Sequence, residues 1–336
     1  MASAVSHLSS EYHDLNGDHI DVLEQPPTAL EFSRLVHISR PVLIRGMQIP
    51  SVQFWDDEYL AATLGETEIS VAVTPNGRAD AVTQSPDGKL YFVEPHVESM
   101  KMSELLSKLS PEAGDPNIYY LQSQNGNVYS SRFFEGVHDP SEFELLRHDI
   151  PSEIPWCSEG LGKSPDAVNL WIGSIHSVTS IHTDPYENIY TVVRGSKHFT
   201  LLPPTDGWCL KGATVTAALD YPLMHFLERM YPHGTWTRKS PEEPLTLMPS
   251  PNVPPIRWSS VADPDLPGNL PPEAHPIQIT IDAGETLYLP PGWWHHVRQS
   301  DNTIALNWWY DMEMRGMSWV FLSFLRKCWG RSIWER

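Results

Sequence analysis

Two stretches decide how this chain is read: Val178-Thr-Ser-Ile-His-Thr-Asp-Pro-Tyr-Glu-Asn188 and, further along, Gly284-Glu-Thr-Leu-Tyr-Leu-Pro-Pro-Gly-Trp-Trp-His295. In an extended strand, residues two apart point to the same face, so His182 and Asp184 aim together into one cavity. A later strand of the same barrel can add a third ligand from His295 or His296. Being adjacent, those two face opposite ways, so only one enters the cavity, and spacing does not choose between them. Two imidazoles and one carboxylate on one face of a metal leave open positions, the arrangement of non-haem Fe(II) oxygenases. A His-x-Asp triplet is a weak signal alone, since roughly one is expected by chance at this length and composition. A second does occur, at His19-Ile20-Asp21, in a polar region with no strand around it, and reads as a surface accident.

Working outward, the surroundings of both stretches are strand after strand. Segments 167–173, 178–184, 188–193 and 197–202 carry strand patterns, with Arg194-Gly195-Ser196 read as a hairpin link between the last two. Segments 277–281, 285–289, 294–299 and 303–309 form a second block. Between the blocks, 204–276 is rich in Pro, Ser and Trp without clear periodicity, the pattern of a covering loop or insertion. Many short strands in two blocks predict a mainly β fold, a jelly-roll or cupin-like barrel whose mouth can hold a ligand. Residues 1–130 read as a helical and strand region packing on that barrel, with helices at 28–36, 55–65 and 100–109. Strands are expected there at 41–45, 69–73 and 118–122. Residues 131–312 form the barrel domain, and 313–336 a C-terminal helical segment. That segment carries Met317, Val320, Phe321, Phe324, Leu325 and Cys328 on one face and Trp319, Leu322, Trp329 and Ile333 on another. A helix apolar on two sides needs two partners, the barrel and a second subunit, so a homodimer is expected.

Composition narrows the function classes. The chain has 336 residues, 40% of them hydrophobic, enough for a sizeable core. Lys and Arg total 23 against 42 Asp and Glu, a net charge of −19, which argues against a nucleic-acid phosphate binder. It is compatible with a basic peptide partner. Three scattered cysteines, Cys157, Cys209 and Cys328, fit a reducing compartment and exclude a cysteine-based zinc finger. With no signal-peptide pattern and no membrane-length apolar run, the expected setting is soluble, in the cytoplasm or nucleus.

Lys197 opens the strand after Arg194-Gly195-Ser196. It is either a solvated hairpin lysine or a clamp for the distal carboxylate of 2-oxoglutarate. Charge favours the second: Fe(II) with one Asp leaves +1, the dicarboxylate adds −2, and one lysine neutralises a site in which unpaired charge is costly.

The blocks 68–82, 155–163, 168–204, 284–297 and the ending Ile304-Ala-Leu-Asn-Trp-Trp-Tyr-Asp-Met-Glu resemble the JmjC-type cupin oxygenases. They are most similar to the small family of JmjC-domain-containing protein 7. The resemblance runs from about residue 26 to 313 and weakens across 204–276. It implies a double-stranded β-helix, Fe(II), 2-oxoglutarate and O2, with the metal on His182, Asp184 and His295. It assigns Lys197 and Thr179 to the distal carboxylate of 2-oxoglutarate, with Tyr120 as a further donor and Asn188 and Asn307 lining the pocket. Read without it, Thr179 is a strand residue, Tyr120 a core aromatic, and the two asparagines satisfied buried amides. The implied reaction converts 2-oxoglutarate to succinate and CO2 while hydroxylating a protein lysyl side chain at C3. The implied partner is a translation-associated GTPase of the developmentally regulated GTP-binding class.

Further expectations concern the mouth of the site. Glu187 is a candidate to hold the substrate ammonium, and Trp293, Trp294 and Trp309 to frame a peptide groove. Competing readings are a histone-tail lysine demethylase or peptidase, a metal-dependent hydrolase on the same ligands, and a non-catalytic cupin acting as a binding module.

Overall fold

The structure, a computed structural model, describes residues 2–110, 114–123, 126–211 and 229–329. Two long strands, Tyr186–Leu202 and Trp294–Asp311, run antiparallel to each other along their whole length and form the spine of the barrel. Their outer partners change midway. Asn188–Thr191 pairs with Thr286–Leu289, whereas Ser196–Leu201 pairs with Ile277–Asp282. The partner spine strand changes likewise, from Ala167–Gly173 at its C-terminal half to Val178–His182 at its N-terminal half. Each spine strand therefore takes two successive sets of neighbours within one 13-stranded sheet, the double-stranded arrangement of a cupin.

The hairpin expected at Arg194-Gly195-Ser196 is not formed. The chain continues straight through it, with the register shifting between Val192, Arg194 and Ser196. Gly195 has φ +76° and an added Cβ would lie 2.4 Å from Thr303 Oγ1, so glycine here marks an irregularity inside one strand. The same applies to the pair expected at 294–299 and 303–309, which is one strand with Asp301 at φ +37°. A glycine with positive φ signals a turn or a bulge equally well in sequence; only the cross-strand partners distinguish them.

The N-terminal strands extend the same sheet. Ile118–Leu121 lies beside Ala167–Gly173, followed by Glu68–Thr74 and His96–Lys101. Helix Ala29–Ile38 starts at a capping box, with Thr28 accepting from the Glu31 amide and the Glu31 carboxylate accepting from the Thr28 amide. Asp56 caps helix Asp57–Leu64, which stops at Gly65. These helices close one side of the large apolar core through Phe32, Leu60 and Leu64. Helix Met102–Leu109 starts later than expected because His96–Lys101 is a strand.

The 204–276 segment is not irregular throughout. His233–Thr237 pairs with Thr246–Pro249 and, in parallel, with Leu90–Glu94, and Arg229–Tyr231 pairs with Ile256–Trp258. Strands of three to five residues give too few alternations to be seen in sequence. In helix Met317–Trp329, Leu322 and Leu325 are buried, with Leu325 packed on Leu202, Leu210, Val261 and Trp294. Met317, Val320, Phe321 and Phe324 are exposed. The side chains of Cys328, Trp329 and Ile333 lie outside the described residues. No helix among the described residues is long and apolar enough to cross a membrane.

Candidate active site

His182 and His295 are direct cross-strand partners at the mouth of the barrel, which is how strands distant in sequence present two imidazoles to one point. Asp184 follows the end of its strand, and its carbonyl accepts from the Gly292 amide at 3.0 Å, tying the Pro-Pro-Gly turn to the site. The Asp184 carboxylate oxygen lies 3.6 Å from His182 Nε2 and 3.7 Å from His295 Nε2. One ligand atom from each of the three residues lies within 4.8 Å of the other two.

The ring orientations suit a metal. His182 Nδ1 is 2.8 Å from the Ser180 carbonyl and His295 Nδ1 is 3.1 Å from the Trp293 carbonyl. Donating there fixes the tautomer and leaves each Nε2 lone pair facing Asp184. Burial and the neighbouring His182 push the His295 pKa down to about 4, so this ring stays neutral and able to ligate. Burial works against charging His182 too, but the Asp184 carboxylate and the Ser180 carbonyl outweigh it and raise its pKa. With the ring centroids 4.2 Å apart, only one imidazole can carry the proton at a time.

His296 points away from this cavity. It is fully buried on the other face of its strand, 3.6 Å from an Asp265 carboxylate oxygen that also pairs with Arg298. The choice between the two histidines that spacing left open is made by the pleat of the strand, with His295 inside.

The cavity has a volume of about 720 Å³, and Thr179, Asn188, Tyr120 and Asn307 line it with the three ligands. Thr179 and His182 are three residues apart, which regular alternation would put on opposite faces. A register irregularity between them turns both inward. Lys197 lies behind this lining, 1% exposed, with its ammonium donating to Gln299 Oε1 and 3.4 Å from the Tyr120 hydroxyl. It is not the solvated hairpin lysine that its sequence context also allows. Among the described residues no carboxylate pairs with it, and burial pushes its pKa down to about 7. Tyr120, bonded to Thr179, is pushed up to about 12 by burial and stays a neutral donor. A buried ammonium without a counter-ion, beside two hydroxyl donors, fits the carboxylate end of a dicarboxylic acid.

Asn307 donates to Asn188 Oδ1 at 3.1 Å and accepts from Trp171 Nε1 at 2.9 Å and Asn169 Nδ2 at 3.2 Å. Both amides are thus held in fixed orientations at the cavity wall.

The expected role of Glu187 is overturned. Its neighbour Asn188 faces the cavity, so alternation sends Glu187 the other way, where it is buried and accepts from the Tyr288 hydroxyl at 2.6 Å. Burial raises its pKa to about 7. Of the three tryptophans, Trp309 lines the cavity, stacked on Tyr186 at 5.1 Å. Trp293 is core, donating to the Ser39 carbonyl, and Trp294 packs in the cluster under the C-terminal helix.

Sequence reasoning missed Gln299, Asp80, Gln122 and Trp258. Gln299 was within reach, because His295, Val297 and Gln299 alternate along one strand and share a face. Asp80 and Gln122 share a hydrogen bond of 3.0 Å at the cavity wall, and burial pushes the Asp80 carboxyl up to about 6. Trp258 comes from the 204–276 segment and lies parallel to the His182 ring at 6.0 Å.

Comparison with known proteins agrees with this geometry. The family model for the cupin-like domain matches residues 27–316. The chain is 40% identical over 297 residues to the human bifunctional peptidase and (3S)-lysyl hydroxylase JMJD7, covering 88% of this chain and 84% of that protein. It is 34% identical to lysine-specific demethylase JMJ32 of Arabidopsis thaliana, over 97% of this chain and 91% of that one. JmjC domain-containing protein E of Dictyostelium discoideum is 33% identical, covering 90% and 87%. The chain therefore belongs to the cupin-like domain family and, within it, to the group of JmjC-domain-containing protein 7.

Proposed function

We propose that this protein is an Fe(II)- and 2-oxoglutarate-dependent oxygenase that hydroxylates a protein lysyl side chain. The observation that carries the reading is one cavity holding both the His182–Asp184–His295 ligand set and, behind its wall, the unpaired ammonium of Lys197. When bound, the metal and cosubstrate supply O2 activation: 2-oxoglutarate is converted to succinate and CO2, one oxygen atom entering succinate and the other the substrate C–H bond.

The chain's own residues prepare this chemistry. His182 and His295 offer Nε2 because the Ser180 and Trp293 carbonyls hold their Nδ1 protons, and Asp184 completes a single face that leaves the others open. Lys197, with Tyr120 and Thr179, would take the distal carboxylate, and the Asn188–Asn307–Trp171 network keeps the wall rigid beside it. Trp309 and Trp258 add aromatic surface to the cavity lining.

The finer reading is hydroxylation at C3 of a lysine in a translation-associated GTPase, in the cytoplasm or nucleus. The net charge of −19 supports a basic partner segment. The exposed row Met317, Val320, Phe321 and Phe324 supports a homodimer. The name of the human relative supports the hydroxylase; the name of the Arabidopsis relative makes demethylation the reading to exclude.

The test is mass spectrometry of lysine-containing and methyl-lysine peptides from such GTPases and from histone tails, incubated with protein, Fe(II), 2-oxoglutarate and air, beside His182→Ala. Gain of one oxygen on an unmodified lysine, absent in the variant, is the expected result. Loss of a methyl group instead would make it a demethylase, and cleavage independent of 2-oxoglutarate a peptidase.

A further inference from the structure

The cavity wall beside Thr179 carries a carboxylate that the chemistry above does not use. Asp80 stands where the chain leaves the two-residue strand Arg78–Ala79, which pairs in parallel with Val178 and Thr179, and before the strand Ala81–Gln84. Its φ is +51°, a left-handed conformation uncommon for a residue with a side chain but tolerated best by Asn and Asp. The conformation is held by the Ser180 hydroxyl, which donates to the Asp80 carbonyl at 2.7 Å and accepts from Trp258 Nε1 at 3.2 Å. Ser180 is two residues before the ligand His182, so Asp80, Trp258 and the ligand set are built onto one another.

The Asp80 side chain lines the cavity and accepts one hydrogen bond, from Gln122 Nε2 at 3.0 Å. Among the described residues no lysine, arginine or histidine forms an ion pair with it. Beside it the cavity wall is aromatic: Phe92 packs on Trp258 at 4.7 Å and on His233 at 5.4 Å. An aromatic wall beside a carboxylate that feels the His182 imidazole but, among the described residues, makes no ion pair fits an alkyl chain ending in an ammonium group. The charge and the lining suit a lysine side chain.

We propose that Asp80 determines substrate specificity by receiving the ammonium group of the target lysine, with its alkyl stem lying along Trp258. This inference rests on the lysyl hydroxylase reading and names the group that selects lysine. It also gives the 204–276 segment a role, since Trp258 and His233 come from it.

The test uses two pools of decapeptides, random except for a central lysine in one and a central norleucine in the other. Norleucine keeps the alkyl stem and lacks the ammonium. Binding to the metal-free protein is read by affinity selection and mass spectrometry, for the wild type, Asp80→Asn and Asp80→Gly. Asn and Gly are the residues that adopt φ +51° most readily, so both variants keep the backbone, and thermal unfolding checks that they do. The wild type is expected to prefer the lysine pool by roughly 10- to 100-fold, the worth of a charge-assisted hydrogen bond. Both variants should lose that preference while binding the norleucine pool as the wild type does. A preference retained in either folded variant, or absent in the wild type, would overturn the inference. If the preference behaves as expected but no lysine gains oxygen in the product assay, the ammonium subsite stands and the hydroxylase reading falls.

Discussion

Replacing Lys197 with Met should make the protein more stable and unable to use 2-oxoglutarate. The lysine is 1% exposed and, among the described residues, has only Gln299 and Tyr120 as hydrogen-bond partners, and burial lowers its pKa from 10.5 to about 7. An amine whose folded pKa lies below its unfolded value binds its proton more readily when unfolded. Its stability is therefore full above pH 10.5 and declines as pH falls toward 7, by about 5 kcal/mol at most. Met fills similar volume without charge, and leaves Gln299 Oε1 lacking a donor at a cost of roughly 1–3 kcal/mol. The net expectation at pH 7 is a gain of about 1–3 kcal/mol, the usual direction when a buried charge gives way to an apolar residue. Ligand offsets that gain. At a hundredfold excess over its dissociation constant, 2-oxoglutarate should stabilise the wild type by about 2.7 kcal/mol and the variant by nothing measurable. Urea unfolding at pH 7 with Mn(II) in place of Fe(II), with and without 2-oxoglutarate, reads both effects. A variant less stable than wild type without ligand, yet stabilised equally by 2-oxoglutarate, would refute the reasoning and make Lys197 a purely structural residue.

Other consequences follow from the same geometry. The raised pKa of His182 means a proton competes with the metal, so the rise in melting temperature on adding Mn(II) should be larger at pH 8 than at pH 6, and a pH-independent rise would count against the ligand assignment. Glu187→Gln should leave the peptide Michaelis constant unchanged. Because burial raises the carboxyl from 4.5 to about 7, its contribution is full below pH 4.5 and lost as pH rises through 7; the Gln variant should be more stable at pH 8 by up to about 3 kcal/mol, measured by urea midpoint. Gly173→Ala would place a Cβ 2.4 Å from Gln299 Nε2 and 2.7 Å from Tyr120, so it should weaken 2-oxoglutarate binding, read by calorimetry, with the metal still bound. Gly195→Ala, with a positive φ and Thr303 in the way, should cost roughly 1–3 kcal/mol in urea unfolding without changing the cosubstrate affinity.

The barrel and the His182–Asp184 part of its ligand set were legible in sequence because they rest on short-range rules, whereas the choice of His295 over His296 was not. The two-residue period of a strand points to the pair His182 and Asp184, although Asp184 stands just past the strand end at His182, and the mainly β fold needs only the recurrence of such strands. What failed were features that depend on partners far along the chain. Gly195 reads as a turn until Thr303 is known to lie across from it. Glu187 reads as a mouth residue until Asn188 is seen to take the inward position. Thr179 reaches the cavity only through a register irregularity. Asp80 is brought to the ligands by a parallel pairing of Arg78–Ala79 with Val178 and Thr179, a contact with no local signal. The small strands of the 204–276 segment are stabilised by Leu90–Glu94, well over a hundred residues away, so their own composition says little.

The central claim is that His182, Asp184 and His295 hold a metal to which 2-oxoglutarate can chelate in the cavity served by Lys197. Anaerobic absorption spectroscopy of the protein with Fe(II) and 2-oxoglutarate tests it most directly. A metal-to-ligand charge-transfer band in the wild type, lost in His182→Ala and, at limiting 2-oxoglutarate, in Lys197→Met, is the predicted result. No band in the wild type at saturating Fe(II) and 2-oxoglutarate would contradict it.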